Sequence, residues 1–314
     1  MKKTLKITAF VLIIAILFAG CSLFRKEKND NPATTTSATQ TDDSASTTLE
    51  VIDPEDIEWN TDISRFVNND KLVNILLIGQ DRREGESRQR SDAMILCSFN
   101  PETNKMAMIS FLRDLYVQIP GHQDNRLNAA YVYGGFELLK ETLSLNFGIT
   151  VDGCLEADFE GFEKIINTVG GVDIELTEKE AQIVGGGATA GVCHLNGEQA
   201  LTYARIRKID SDFQRTARQR KIMNAVFEKA KTHTLPELAM FFGEIMPLMA
   251  TDMTEDEIMS LALTLAASFS ELETESCSVP AEGTYKDAMI RGMAVKVPDL
   301  PEIQKLIFEE YLPM

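Results

Sequence analysis

Residues 71–114 read KLVNILLIGQDRREGESRQRSDAMILCSFNPETNKMAMISFLRD, and their pattern decides the architecture. Three apolar runs, at 73–78, 93–99 and 106–111, have strand length and are bounded by charged or turn residues. Runs this continuous predict strands covered on both faces. Asn100-Pro101-Glu102-Thr103-Asn104-Lys105 joins the second run to the third with turn chemistry, which predicts an antiparallel hairpin. If the first strand lies antiparallel to the second, one edge of the sheet gathers Asp81, Arg82, Arg90, Asp92, Arg113 and Asp114. Carboxylates hold a hard cation and guanidinium forks take phosphate oxygens two at a time, so this edge has the chemistry for a metal-bound polyphosphate. Taken singly, each of these residues also reads as a solvated turn residue in a weak surface ion pair. The clustering is what argues for a site.

A second informative stretch is 194–231, HLNGEQALTYARIRKIDSDFQRTARQRKIMNAVFEKAK. Read as extended, 203–207 puts Tyr203, Arg205 and Arg207 on one face. A helix is predicted from about Asp212, with Arg215 and Gln219 one turn apart on a face that continues into Ile222 and Val226. Free N–H groups and the helix dipole favour anions at such an N-terminus. Four of the five cations from Arg205 to Arg218 are arginine, the residue suited to planar bidentate capture. This is a second half-site for phosphate, against the alternative of a basic solvated helix face balanced by Asp210 and Asp212.

Between these stretches, a helix is expected over 136–146, closed by Gly148. Another starts at Asp158 as N-cap and repeats Phe159, Phe162, Ile165, Ile166 and Val169 before Gly170-Gly171. Its stripe reads as packing against the sheet. A strand follows at 172–176, and Gly185-Gly186-Gly187 reads as a loop. Beyond residue 233 the pattern predicts amphipathic helices over 235–249 and 255–270, a short strand pair and a last helix over 301–311. Met240, Met246, Met249, Met253 and Met259 read there as flexible core filler rather than a lipid pocket.

The 314 residues are 44% hydrophobic, enough for a sizeable core, and carry 31 basic against 48 acidic side chains for a net charge of −17. That balance disfavours nucleic-acid binding, which normally shows a basic footprint. The acidity is uneven: 233–314 hold 15 acidic and 4 basic residues, whereas 69–232 hold 23 and 20. An anion site is therefore easiest to place in the middle of the chain. Lys2 and Lys3 precede an apolar run ending Leu17-Phe18-Ala19-Gly20-Cys21, the layout of an export signal. Ala19-Gly20-Cys21 resembles a bacterial lipobox with lipidation at Cys21, and an uncleaved signal anchor is the alternative. Either one holds the chain at the outer face of a cytoplasmic membrane. The expected organisation is 1–21 signal or anchor, 22–68 polar tether, 69–232 the main domain with the charged edge and 233–314 a C-terminal extension packed on the core. Cys97, Cys154, Cys193 and Cys277 show no Cys-x-x-Cys pair, and His122, His194 and His233 are scattered, so zinc is not indicated.

The motifs can now be set side by side. Asn74 to Arg82, Arg90-Ser91-Asp92, Ser110 to Asp114, Arg126 to Tyr131, Tyr203 to Arg207 and Asp212 to Gln219 resemble, as ordered blocks, the LytR-CpsA-Psr family over about residues 71–231. The resemblance implies a mixed α/β fold, a central mixed sheet flanked by helices, with a smaller C-terminal α/β extension. It implies an extracytoplasmic phosphotransferase that moves a glycopolymer, of the teichoic acid or capsular polysaccharide class, from a polyprenyl pyrophosphate carrier to peptidoglycan. By that resemblance Asp81 and Asp92 would bind Mg²⁺, with Mn²⁺ as the alternative ion, and Asp81, Asp92 and Arg113 would be catalytic. Arg82, Arg90, Arg113, Arg126, Arg205, Arg207, Arg215 and Gln219 would hold the pyrophosphate, and the prenyl tail would lie in an apolar tunnel beneath the sheet. Leu112 stands where the family usually has proline, Gln80 for a small hydroxyl residue, Gln214 for glycine and Arg126 for lysine. Two other classes fit the same residues: a polyprenyl pyrophosphate hydrolase, and a non-catalytic membrane-anchored regulator that binds the lipid carrier.

Overall fold

The computed structural model describes residues 49–59, 71–80, 89–207, 209–268 and 271–314. The strands are β1 (Glu50–Val51), β2 (Val73–Gln80), β3 (Ser91–Asn100), β4 (Lys105–Phe111), β5 (Tyr116–Val117), β6 (Asn125–Arg126), β7 (Gly153–Asp158), β8 (Val172–Leu176), β9 (Gly191–Leu195), β10 (Ala250–Thr251), β11 (Glu273–Val279), β12 (Tyr285–Ile290) and β13 (Met293–Pro298). The helices are α1 (Leu127–Phe147), α2 (Phe159–Thr168), α3 (Glu178–Val184), α4 (Gly197–Ala204), α5 (Asp212–Lys231), α6 (Leu235–Ile245), α7 (Glu255–Ser268) and α8 (Leu300–Leu306).

The main sheet runs β10-β7-β2-β3-β4-β11. β2 and β3, and β3 and β4, are antiparallel as the apolar runs predict, while β7 joins β2 and β11 joins β4 in parallel. The sheet is therefore mixed. Gln80 pairs with Ser91 across an irregularity after Gly79, so the end of β2 and the start of β3 meet at one edge. The chain leaves β4 for Arg113 at that same edge.

Strand alternation divides the side chains between two faces. Leu76, Leu96 and Ile109 are in register across three strands, fully buried, and belong to the core that includes Leu139, Leu143 and Phe147 of α1. Phe111 meets Phe147 at 5.2 Å between ring centroids. α1 starts nine residues earlier than its expected limit of 136, because Gly135 (φ 66°, ψ −147°) kinks the helix and hides the apolar period of its first turns. Gly148, left-handed at φ 70°, ends it as expected. The opposite face looks toward α2, α5, α6 and α7.

Two elements depart from the expected pattern. Residues 203–204 belong to α4 rather than to an extended piece, because Asn196 caps that helix reciprocally with Gln199, and only Arg205 onward leaves it. The segment 233–314 enters the main sheet itself: β10 and β11 are its two edge strands. Glu273-Thr274-Glu275-Ser276-Cys277-Ser278-Val279 reads as polar in sequence because an edge strand presents much of its surface to solvent. β12 and β13 form the expected strand pair and join β1 in a separate three-stranded sheet.

Two packing points hold the arginine-rich region in place. α4 crosses α2 at Gly197, where an added Cβ would lie 2.2 Å from the Glu163 carbonyl oxygen, and the Gly197 N–H donates to Asn167 Oδ1 at 2.8 Å. Arg218, with 4% of its side chain exposed, donates to Glu180 Oε1 at 2.8 Å, to the Ile206 carbonyl at 3.1 Å and to Asp210. It thus clamps the 205–211 connection onto α5. Burial alone would raise the Glu180 carboxyl, but hydrogen bonds from Arg218 and Thr177 outweigh it and hold the group below its ordinary value of 4.5.

Gly197→Ala should destabilise the fold by about 1–3 kcal/mol through that backbone clash, read by thermal unfolding. Arg218→Met should cost about 3–5 kcal/mol by stranding Glu180. The Glu180 increment is complete above pH 4.5 and is lost as the pH falls through the lowered folded value, so the stability gap between wild type and Arg218→Met should narrow on acidification. A gap that stayed constant down to acid pH would contradict the assignment.

Candidate functional site

Asp92, second residue of β3, is the meeting point of the two arginine-bearing stretches. Arg113 Nη1 donates to its Oδ1 at 2.9 Å and Arg207 Nη2 to its Oδ2 at 3.1 Å. Arg113 also lies between two further carboxylates, with Nε 3.5 Å from Asp212 Oδ2 and 3.7 Å from Asp114 Oδ2. Arg215 Nη2 donates to the same Asp212 oxygen at 3.2 Å. A continuous ionic chain therefore links β3, the end of β4, the 205–207 segment and the first turn of α5.

The two central arginines differ in electrostatic state. Burial would lower Arg113, but Asp114, Asp212 and Asp92 outweigh it and raise the guanidinium above its ordinary value. Arg215 is pushed below its ordinary value, by burial first and by Arg113 and Arg207 after it, with Asp212 and Asp92 offsetting only part. Its side chain is 3% exposed, and among the described residues its Nε and Nη1 have no hydrogen-bond partner. Gln219 Oε1, one turn further along α5, is likewise buried without a partner. Burying unmatched guanidinium donors is costly. These donors are therefore open to a partner that the described residues do not supply.

Arg215 and Gln219 stand at one end of a cavity of about 350 Å³, while Arg113, Asp114 and Asp212 lie outside its lining and reach it through Asp92 and Arg215. Asp92, Arg205, Arg207, Arg215 and Gln219 line its charged end, and Arg205 is held over the Phe159 ring at 4.2 Å. Its roof is the second face of the sheet, with Leu77, Ile95, Cys97 and Phe99. The Phe159, Phe162, Ile165 and Ile166 stripe of α2 faces this hollow, as do Val226 and Phe227 of α5. Met246, Met249 and Met253 line it too, so the C-terminal methionines are in part the wall of an apolar pocket and not core filler, while Met240 is 63% exposed. Helical spacing alone could not separate these cases, since a cavity wall and a core face have the same period. Burial pushes the Cys97 thiol up to about 12, which makes it an inert apolar lining group. Cys97, Cys154, Cys193 and Cys277 are all free thiols.

The remaining expected site residues are distributed as follows. Arg90 is exposed, immediately before β3. Arg126 is outside the cavity lining: its Nε and Nη2 donate to the Ala294 carbonyl at 3.1 and 2.6 Å, and its Nε lies 3.6 Å from Asp114 Oδ1. Burial raises the Asp114 carboxyl, against the pull of Arg113 and Arg126. Asp81, Arg82 and Cys21 lie outside the described residues. Among the described residues no group of three or more His, Cys, Asp or Glu side chains could hold a metal ion, so Asp92 is the described member of the expected pair. Sequence reasoning missed the linking role of Asp212. It treated that residue as charge balance, and only the fold brings its carboxylate between Arg113 and Arg215.

Known proteins resemble this chain in sequence and in fold. A model of the LytR_cpsA_psr family matches residues 30–307. The polyisoprenyl-teichoic acid–peptidoglycan teichoic acid transferase TagU of Bacillus anthracis is 33% identical over 206 residues, 64% of this chain and 67% of that protein. Regulatory protein MsrR of Staphylococcus aureus is 32% identical over 225 residues, 70% of this chain and 68% of its own. Among solved structures, TagT bound to LIIa-WTA matches with a TM-score of 0.64 at 28% identity, covering 78% of this chain and 92% of that one. TagT with bound octaprenyl pyrophosphate lipid matches with a TM-score of 0.60 at 26% identity, covering 78% and 91%. With its motifs, its mixed sheet and a family match spanning nearly all the described residues, the chain belongs to the LytR-CpsA-Psr family.

Proposed function

We propose that this chain is a transferase that moves a glycopolymer from a polyprenyl pyrophosphate carrier to peptidoglycan. The observation that carries the reading is the continuity of the cavity, arginine-lined at one end and apolar over the rest, because a prenyl pyrophosphate has that same division between head and tail. The names of the TagU relatives and the octaprenyl pyrophosphate in the TagT structure support it.

In this reading Arg113, Arg205, Arg207, Arg215 and Gln219 hold the pyrophosphate. A sugar hydroxyl of the acceptor attacks the distal phosphorus in line, the bond to the bridging oxygen breaks, and prenyl phosphate leaves. Negative charge spreads over the phosphoryl oxygens during that exchange, so fixed guanidinium groups supply most of the stabilisation. Asp92, oriented by two charge-assisted hydrogen bonds, accepts a hydrogen bond from the attacking hydroxyl. Its hard oxygen donors fit a divalent cation, and the Gln80–Ser91 pairing brings the strand ends leading to positions 81 and 92 together, so Asp92 and Asp81 would hold Mg²⁺ or Mn²⁺. When bound, such an ion would neutralise phosphate charge. Attachment at the outer membrane face through Cys21 or the preceding apolar run belongs to the same proposal, since a membrane-borne lipid carrier requires an enzyme at that surface.

Arg113→Ala and Arg215→Ala should each weaken binding of a polyprenyl pyrophosphate by about 2–5 kcal/mol, measured by calorimetry, with transfer to peptidoglycan falling in parallel. Transfer at the wild-type rate by Arg113→Ala would remove the assignment, and release of phosphate without any acceptor would make the protein a hydrolase. Leu265→Trp places bulk at the apolar end of the cavity beside Phe99 and Met106. It should lower affinity for the prenyl compound while leaving that for inorganic pyrophosphate unchanged. Equal losses for both ligands would show that the hollow does not hold the tail.

A further inference from the structure

The donor reading uses one side of Arg113, toward α5 and the cavity. On its other side the chain passes through the short β5–β6 ribbon into α1, and this ribbon carries a feature that no step above employs. His122 and Tyr133 stack with ring centroids 4.9 Å apart and planes at 23°. Tyr133 is 41% exposed, His122 is exposed, and neither lines the cavity. Asn125 Nδ2 donates to the Tyr133 hydroxyl at 2.9 Å, which fixes the ring relative to β6. The next residue is Arg126, whose guanidinium reaches Asp114, and Asp114 reaches Arg113. An exposed ring pair is thus tied to the charged edge through two ionic contacts.

A pyranose presents C–H groups on one face and polar substituents around its rim. Aromatic rings attract the former through the negative charge of their faces, and amide and guanidinium groups hydrogen-bond the latter. We propose that the His122–Tyr133 stack, with Asn125 at its rim, is the acceptor subsite and takes a β-linked N-acetylhexosamine glycan. The proposal rests on the transferase reading and adds to it the place of the second substrate. Donor and acceptor then meet at the Arg113 edge, the first from the cavity and the second along the Arg126–Asp114 contacts.

The test uses the intact chain and a β-1,4-linked N-acetylglucosamine tetrasaccharide. Trp59 is the one tryptophan; it stacks on Tyr116 at 6.1 Å and hydrogen-bonds Asp124, so its fluorescence reports on the ribbon, with saturation-transfer NMR as the direct measure of contact. Wild type should bind the glycan, Tyr133→Ala should bind it roughly threefold to tenfold more weakly, and Tyr133→Phe should stay within about twofold, since the ring face is kept. Affinity for polyprenyl pyrophosphate should be the same in all three, and in transfer Tyr133→Ala should raise KM for acceptor with little change in kcat. No glycan binding by wild type, or equal binding by Tyr133→Ala, overturns the subsite. Failure of wild type to bind the prenyl compound or to transfer sinks the transferase reading separately, because the glycan titration does not depend on either.

Discussion

Arg113 sits among three carboxylates contributed by different parts of the chain: Asp92 from β3, Asp114 beside it, and Asp212 from α5. Without the guanidinium, these acids would converge on one another in a half-buried place, and like charges so close are strongly unfavourable. With it, each is compensated, and the guanidinium is in turn raised by their sum against the effect of burial. The contact ties residues about a hundred positions apart in sequence. It also sets the distance between the sheet edge and the first turn of α5, on which the position of Arg215 depends.

Arg215 is the complement of that arrangement. It shares Asp212 with Arg113 but keeps two buried donors unmatched, and burial first, then its neighbours Arg113 and Arg207, push its guanidinium down. Arg113 organises the site through Asp92 and leaves its buried Nε without a hydrogen-bond partner, whereas Arg215 leaves two such donors and so has the larger capacity for an incoming anion. Residue type alone could not make this distinction, because both are arginines beside aspartates in sequence.

The strand triplet was legible because its signal is local: long apolar runs with turn residues between them specify buried strands wherever they fall. The meeting of Asp92, Arg113 and Asp114 at the charged edge was legible for the same reason, since antiparallel pairing places strand ends by simple counting. What escaped was set by tertiary context. β11 is an edge strand whose polar residues face solvent and α5, so its sequence resembles a loop. α4 depends on the Asn196–Gln199 capping box more than on apolar spacing. Arg126 resembled a phosphate ligand by position, yet its donors are engaged by the Ala294 carbonyl in the β12–β13 hairpin, a segment nearly 170 residues away that no local pattern connects to it.

The two faces of the same strands have opposite character. Leu76, Leu96 and Ile109 pack solidly on the α1 side, whereas Leu77, Ile95 and Cys97, one residue out of phase, border the hollow. An apolar hollow leaves its lining atoms short of dispersion contacts until something fills it, and that lowers the stability of the fold. A fold with a stability of only about 5–15 kcal/mol can carry that burden only if the remaining packing is dense, which the α1 face supplies. The lining reduces the cost further, since Met246, Met249 and Met253 are unbranched side chains able to swing into empty space and out of it. Solid packing on one face and adaptable methionines on the other are therefore two parts of one solution: the first holds the roof rigid enough to keep the arginines aligned, and the second lets the floor follow a flexible chain.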